Sequence, residues 1–216
     1  MGTSFSTRAA ALLFSVLLFT GCEQVFTANV FSSFTRDPSK LPFDQQVAYA
    51  ESALSSGDAA TMADAYDALA ASLAKNNNTD ADLNLLASNL AVGASGLTDQ
   101  LPDLVQAAMD GNFATQADLA TAVDAVIPTI DYSYISAAQS QLADAKTNGG
   151  TITEDQYLMV AVGMVLQTAD TAGTSINDIT SSDDVAVKTF VNDAVADLTA
   201  RGETSDLLTD LQGMLP

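Results

Sequence analysis

From Phe43 onward, apolar residues recur every three or four positions, and almost no segment alternates apolar with polar. That spacing puts one greasy stripe on each of a series of helices and leaves no sheet for them to cover. Phe43, Val47, Ala50 and Leu54 stripe a first helix, which Gly57 ends. Asp58 caps a second with Met62, Tyr66, Leu69 and Leu73. Thr79 or Asp80 starts a third through Leu83, Leu86 and Leu90, closed near Gly93 and Gly96. Thr98 opens a fourth with Leu101, Leu104, Val105 and Met109, its Pro102 in the tolerant first turn.

The second half continues the pattern. Thr115-Gln116-Ala117-Asp118 approximates a capping box ahead of Leu119, Val123 and Val126, and Pro128 stops that helix. Asp131 to Lys146 forms the next, ended by Gly149-Gly150. Thr153-Glu154-Asp155-Gln156 is a full box, and the segment Leu158 to Leu166 behind it reads LMVAVGMVL, apolar all round. It predicts a central core helix, too short to cross a bilayer, which takes about 20 apolar residues. Ser182 opens a helix with Val187, Phe190, Val191, Val195 and Leu198, and Ser205 opens a last short one. The expectation is an all-α fold, either a helical bundle or an irregular helical-repeat array, of about eight to nine helices.

Composition narrows the chemistry. No histidine is present, which removes the commonest general base and metal ligand together with Ser-His-Asp and Cys-His catalysis. Lys and Arg number 7 against 27 Asp and Glu, a formal net charge of −20. Such a chain repels phosphate backbones, so no nucleic-acid partner is expected, nor docking by charge on an anionic membrane. The acids are scattered and mostly aspartate, as on a solvated surface kept soluble by its charge. With 48% hydrophobic residues and one cysteine, stability must come from packing rather than disulfides.

The N-terminus reads differently. Arg8 precedes an apolar run from Ala9 to Phe19, then Leu18-Phe19-Thr20-Gly21-Cys22, the only cysteine. One positive charge, a short apolar core and small residues before a cut site describe an export signal. The arrangement resembles the lipobox of bacterial lipoproteins, whose cysteine is acylated on sulfur and becomes the new N-terminus. The resemblance implies that residues 1–21 are a signal peptide, that Cys22 is the lipid-attachment residue carrying an acyl chain such as palmitate, and that the membrane is reached through this anchor. In many Gram-negative lipoproteins an aspartate after the cysteine retains the protein in the inner membrane, so Glu23 leans toward the outer membrane. An ordinary secretory signal cut elsewhere would leave Cys22 a plain thiol. Met1-Gly2-Thr3-Ser4-Phe5-Ser6 fits the loose myristoylation pattern, which leaves the apolar run behind it unexplained.

Residues 22–41 read as a lipidated tether, in which Phe26, Val30 and Phe34 could stripe a short amphipathic helix. Asp37-Pro38 and Leu41-Pro42 break the chain before the all-helical domain, residues 42–216. Gly57 to Leu69 (GDAATMADAYDAL) aligns with Gly111 to Val123 (GNFATQADLATAV), a faint repeat that suits helix pairs in an array. Ala50, Gly57-Asp58 and Tyr66 fall at offsets that resemble a tetratricopeptide unit. Periplasmic lipoproteins of that helical-repeat kind include partners of solute transporters, so the resemblance implies an accessory solute-binding role holding an apolar ligand.

Catalytic and metal patterns fail on inspection. Ser72-Leu73-Ala74-Lys75 fits S-x-x-K of penicillin-recognising enzymes, and Ser175-Ile176-Asn177 could be its partner motif. No K-T-G follows, and no strand is predicted to flank the serine. Asn78, Asp80, Asp82 and Asn84 alternate oxygen side chains as calcium loops do, but Leu83 and Asn89 replace the turn glycine and terminal glutamate. A polar helix cap explains them better. Carboxylate pairs for glycoside hydrolysis are not distinguished among the acids. The expectation is a lipid-anchored envelope protein that binds or scaffolds, with no catalytic residue, cofactor or metal. Its partner would be an envelope protein or an apolar small molecule, and Phe113, Tyr132, Tyr134 and Tyr157 are candidate pocket or interface aromatics. A hydrolase is the distant alternative.

Overall fold

A computed structural model describes residues 37–76, 79–102, 116–173, 175, 179 and 184–215. Cys22, Glu23, the stripe Phe26, Val30 and Phe34, Phe113, the Thr115 cap and Ser182 lie outside the described residues, as does most of the expected fourth helix. The fold is all-α, with no strand among the described residues. Among the described residues eight α-helices are bounded at both ends: α1 (Phe43–Ser56), α2 (Ala59–Asn76), α3 (Ala81–Ala94), α4 (Gln116–Val126), α5 (Tyr132–Thr147), α6 (Glu154–Ala172), α7 (Val185–Ala200) and α8 (Asp206–Met214). A helical stretch also runs over residues 97–102, and short 3-10 turns cover Pro38–Lys40 and Ile127–Thr129. No described helix is long and apolar enough to cross a membrane.

The boundaries follow local chemistry. Gly57 ends α1 at φ 68°, a left-handed conformation that costs glycine little. Asp58 then accepts hydrogen bonds from the Thr61 amide and hydroxyl, satisfying free donors at the start of α2. Asp80 caps α3 by accepting from the Asp82 and Leu83 amides, and Asp131 caps α5 through Ser133. Thr153 and Gln156 exchange hydrogen bonds in a complete capping box at α6. Pro128 sits in the 3-10 turn that stops α4.

The helices divide into two compact units. One contains α1, α2, α3 and α5. Three contacts fix its directions. Ser72, late in α2, bonds Gln46, early in α1; Met62, early in α2, abuts Gly93, late in α3; and the Asp131 amide before α5 donates to Ser95 O just after α3. Each of these neighbouring pairs is therefore antiparallel. Where α3 meets α5 small side chains stand at the contact: Ser88 and Ala138 are both buried, and Ser88 Oγ donates across it to Ala138 O at 3.1 Å. Such side chains let backbones approach closely, and the hydroxyl keeps its hydrogen bond.

One difference from the sequence reading stands out here. Leu83 and Leu86 flank the buried face of α3 rather than forming it; its buried residues are Asn84, Ala87, Ser88, Leu90, Ala91, Val92 and Gly93. The helix closes between Gly93 and Gly96 as expected, with Gly96 at φ 78° in the turn. Gly93, in the last turn of α3, has a second role: a Cβ there would meet Met62 Sδ at 2.2 Å.

The second unit contains α4, α6, α7 and α8. Tyr157, at the start of α6, stacks edge-on against Phe190 of α7 with centroids 5.9 Å apart, and its hydroxyl donates to Asp197 near the end of α7 at 3.0 Å. Ser205 caps α8 by accepting from the Leu208 amide while donating to Glu154 Oε1 at 2.6 Å, which ties the first turns of α6 and α8 together. Leu158, Val160, Ala161, Gly163, Met164 and Leu166 of α6 are buried as expected. Met159, Val162 and Val165 are only partly so: spaced three apart, they form one side of the helix that its neighbours do not fully cover.

Candidate functional site

The described residues bring together one polar–aromatic constellation with recognisable binding chemistry, on the unit built from α1, α2, α3 and α5. Tyr66 of α2 and Tyr134 of α5 meet edge to face, with centroids 5.6 Å apart at 85°. Tyr49 of α1 and Tyr66 both pack on the same core cluster of Ala50, Ala53, Met62, Ala65 and Leu69. All three phenols are half-buried, with an apolar ring inward and a polar tip near water. Helix periodicity explains the placement: Tyr66 follows Met62 by one turn and stands where the buried stripe of α2 meets its exposed side.

Aspartates surround these rings. Asp64 and Asp67 occupy the exposed side of α2 on either side of Tyr66 in sequence, and the helix-capping Asp58 and Asp131 are exposed as well. Partial burial raises the pKa of all three phenols first. The charges of Asp64 and Asp58 add to this at Tyr49, that of Asp67 at Tyr66, and those of Asp67, Asp131 and Asp64 at Tyr134. The three rings therefore share one negative environment, and the phenols remain protonated donors at neutral pH. Asp58 is held below the usual carboxylate range by the Thr61 hydroxyl and amide, so it stays charged. Gln141 of α5 bonds the Tyr66 hydroxyl and pulls against that rise, while its own Oε1 is buried without a hydrogen-bond partner.

The sequence-marked residues fare unequally. Tyr134 joins the constellation; Tyr157 belongs to the other unit, where the Tyr157–Asp197 bond continues into an ion pair from Arg201 to Asp197 (3.0 Å) and Glu203 (3.2 Å). Burial first, then the bond to Asp197, drives the Tyr157 pKa far up. Tyr132, the first residue of α5, is half-buried. Ser72 of the S-x-x-K pattern donates its hydroxyl to Gln46 Oε1 at 2.6 Å. The buried Gln46 amide donates in turn to Leu41 O at 2.9 Å, pinning the Pro38–Lys40 turn onto α1 and α2. Lys75 is exposed at the end of α2. Asp80 and Asn84 of the calcium-like run are engaged at the start of α3, Asn84 Nδ2 donating to Asp80 O at 2.9 Å. Among the described residues no group of three acidic or cysteine side chains is placed to hold a metal ion. Asp184, at the N-terminus of α7, is buried, with neither carboxylate oxygen hydrogen-bonded.

Sequence reasoning missed Tyr49 as a site residue and assigned Tyr66 to the core stripe. The available signal was a tyrosine in place of leucine on that stripe, bracketed by Asp64 and Asp67. No protein-family model, no curated protein and no solved structure matches the chain.

Proposed function

We propose that the chain is an exported lipoprotein, anchored in the cell envelope through Cys22, with helices that form a binding or scaffolding module and perform no chemistry. The observation that carries this reading is the N-terminal sequence, in which Arg8, the apolar run Ala9 to Phe19 and Leu18-Phe19-Thr20-Gly21-Cys22 occur in the order an export signal requires. Glu23 favours the outer membrane as its destination. Two further facts support binding over catalysis: the chain lacks histidine, and Ser72, the serine of the S-x-x-K pattern, donates its hydrogen bond to a buried glutamine. Loss of Arg8 with the signal makes the mature chain still more acidic, so the anchor is lipid rather than charge.

The test feeds cells a labelled fatty acid. Wild type takes up label, whereas Cys22→Ala stays unlabelled and accumulates as uncut precursor. Equal labelling of both proteins refutes the reading.

A further inference from the structure

We propose that Asn148 is a latent site of spontaneous deamidation, kept unreactive by the seating of Gly150 against Ala81 and released when that corner opens. The change is made to the chain and not by it, so it stands apart from the binding role and from the anchor. Asn148-Gly149 is the one Asn-Gly pair in the sequence. Glycine in second place puts no Cβ beside its own nitrogen, and that nitrogen can then attack the asparagine side chain. The bond from Gly149 N to Asn148 Cγ forms, the Cγ–Nδ2 bond breaks, and ammonia leaves with the proton of the Gly149 amide. Water then opens the five-membered imide at either carbonyl, giving aspartate or a β-linked isoaspartate. Asn148 is half-buried and Gly149 exposed, so water reaches the pair.

Three observations close the site in the folded chain. First, Asn148 follows α5 at ψ 10°, which turns the Gly149 nitrogen away from Cβ, whereas ring closure needs the two nearly eclipsed. Second, the Gly149 N–H donates to Lys146 O at 3.1 Å and the Gly150 N–H to Ala145 O at 2.8 Å, the paired bonds of a Schellman cap with Gly149 at φ 82°. Rotation of ψ at Asn148 breaks both. Third, a Cβ at Gly150 would lie 2.9 Å from Ala81 Cβ and 3.0 Å from Ala145 O, so the Gly150 backbone is seated directly on the first residue of α3. Ala81 and residues 145–150 belong to the same unit. Attack therefore waits for the end of α5 to lift from α3, a local opening. Once made, the change is one-way. It places a new carboxylate at the negative end of the α5 dipole, one turn after Asp144. The β-linked product also adds an atom to the backbone ahead of Gly149, so the two cap bonds no longer fit together.

The experiment incubates the full mature chain at mildly alkaline pH in non-ionic detergent, with and without urea, and follows the peptide spanning Asn148 by mass spectrometry, the site assigned by fragmentation. Deamidation of Asn148 should run at least about tenfold slower in the folded chain than in urea. Gly150→Ala, whose Cβ meets Ala81, should speed the reaction of the folded chain about fivefold or more. It should leave the rate in urea unchanged, because the Asn-Gly pair is intact. Ala81→Gly in that background should slow the folded reaction again. The isoaspartyl chain, refolded from urea, should show fast hydrogen exchange at the Gly149 and Gly150 amides, which are protected in the unmodified chain. The proposal is overturned by equal rates in folded and urea-unfolded wild type, by a wild-type rate in Gly150→Ala that is folded by circular dichroism, or by full protection of both amides in the isoaspartyl chain. Should Gly150→Ala fail to fold, the wild-type comparison and the exchange measurement decide.

Discussion

Gly93 and Met62 form the contact whose removal is easiest to calculate. An added Cβ at Gly93 would lie 2.2 Å from Met62 Sδ and 2.6 Å from Met62 Cε, inside any van der Waals contact, and Met62 is 4% exposed. Gly93→Ala must therefore push the thioether into a core already filled by Ala65, Leu69 and Leu90. Overpacking of this kind costs about 1–3 kcal/mol, offset by about 1 kcal/mol from exchanging glycine for alanine inside a helix. The net expectation is a loss of about 1 kcal/mol. Met62→Ala alone leaves a cavity and costs about 2–4 kcal/mol. In that background the sulfur and terminal methyl are gone, so Gly93→Ala should instead stabilise by about 1 kcal/mol. The same substitution thus changes sign, a coupling of about 2 kcal/mol. Urea unfolding of the four proteins, followed by far-ultraviolet circular dichroism, measures it. Additivity within about 0.5 kcal/mol would refute the close approach of α2 and α3.

Three further outcomes follow from particular contacts. Val160→Asp should unfold its unit at ordinary temperature because Val160 is 1% exposed, whereas Val162→Asp, on the partly open side of α6, should leave a folded protein with a lowered melting temperature. Ser72→Ala removes the bond to Gln46 and should cost about 1 kcal/mol in chemical denaturation, with no loss of any turnover; a hydrolytic activity abolished by it would restore the serine-enzyme reading. Asp37 is drawn down to about 2, by the Ser39 hydroxyl first, then by Lys40 and the Ser39 amide. Its folded value lies below its unfolded one, so its contribution is complete above the unfolded pKa and disappears as pH falls toward 2. A carboxyl-resolved NMR titration should give that midpoint, and Ser39→Ala should raise it.

Local features were the legible ones. Gly57, Asp58, Asp80, Asp131, the Thr153 box and Pro128 act within a few residues of themselves, so the sequence places them without reference to the fold. The face that α3 buries was not legible, because periodicity weights large side chains, while that face includes Asn84, Ala87, Ser88 and Ala91, and Ser88 bonds a carbonyl fifty residues away. Gly93 and Gly96 rightly marked the end of α3, but only the position of Met62 in three dimensions reveals that Gly93 also permits a close approach. The apolar run of α6 foretold burial, but composition cannot say which side a neighbour leaves open, and that side is Met159, Val162 and Val165. Tyr134 was marked as one of four candidate aromatics and Tyr66 as part of the apolar stripe of α2, but their pairing depends on two helices distant in sequence.

The claim that Cys22 becomes a lipidated N-terminus is tested most directly by mass spectrometry of the first peptide of the protein purified from its own envelope. The expected peptide begins at Cys22, lacks residues 1–21, and carries on its sulfur the mass of an acyl-bearing lipid. A peptide that begins at any other residue, or one in which Cys22 is a free thiol, contradicts it.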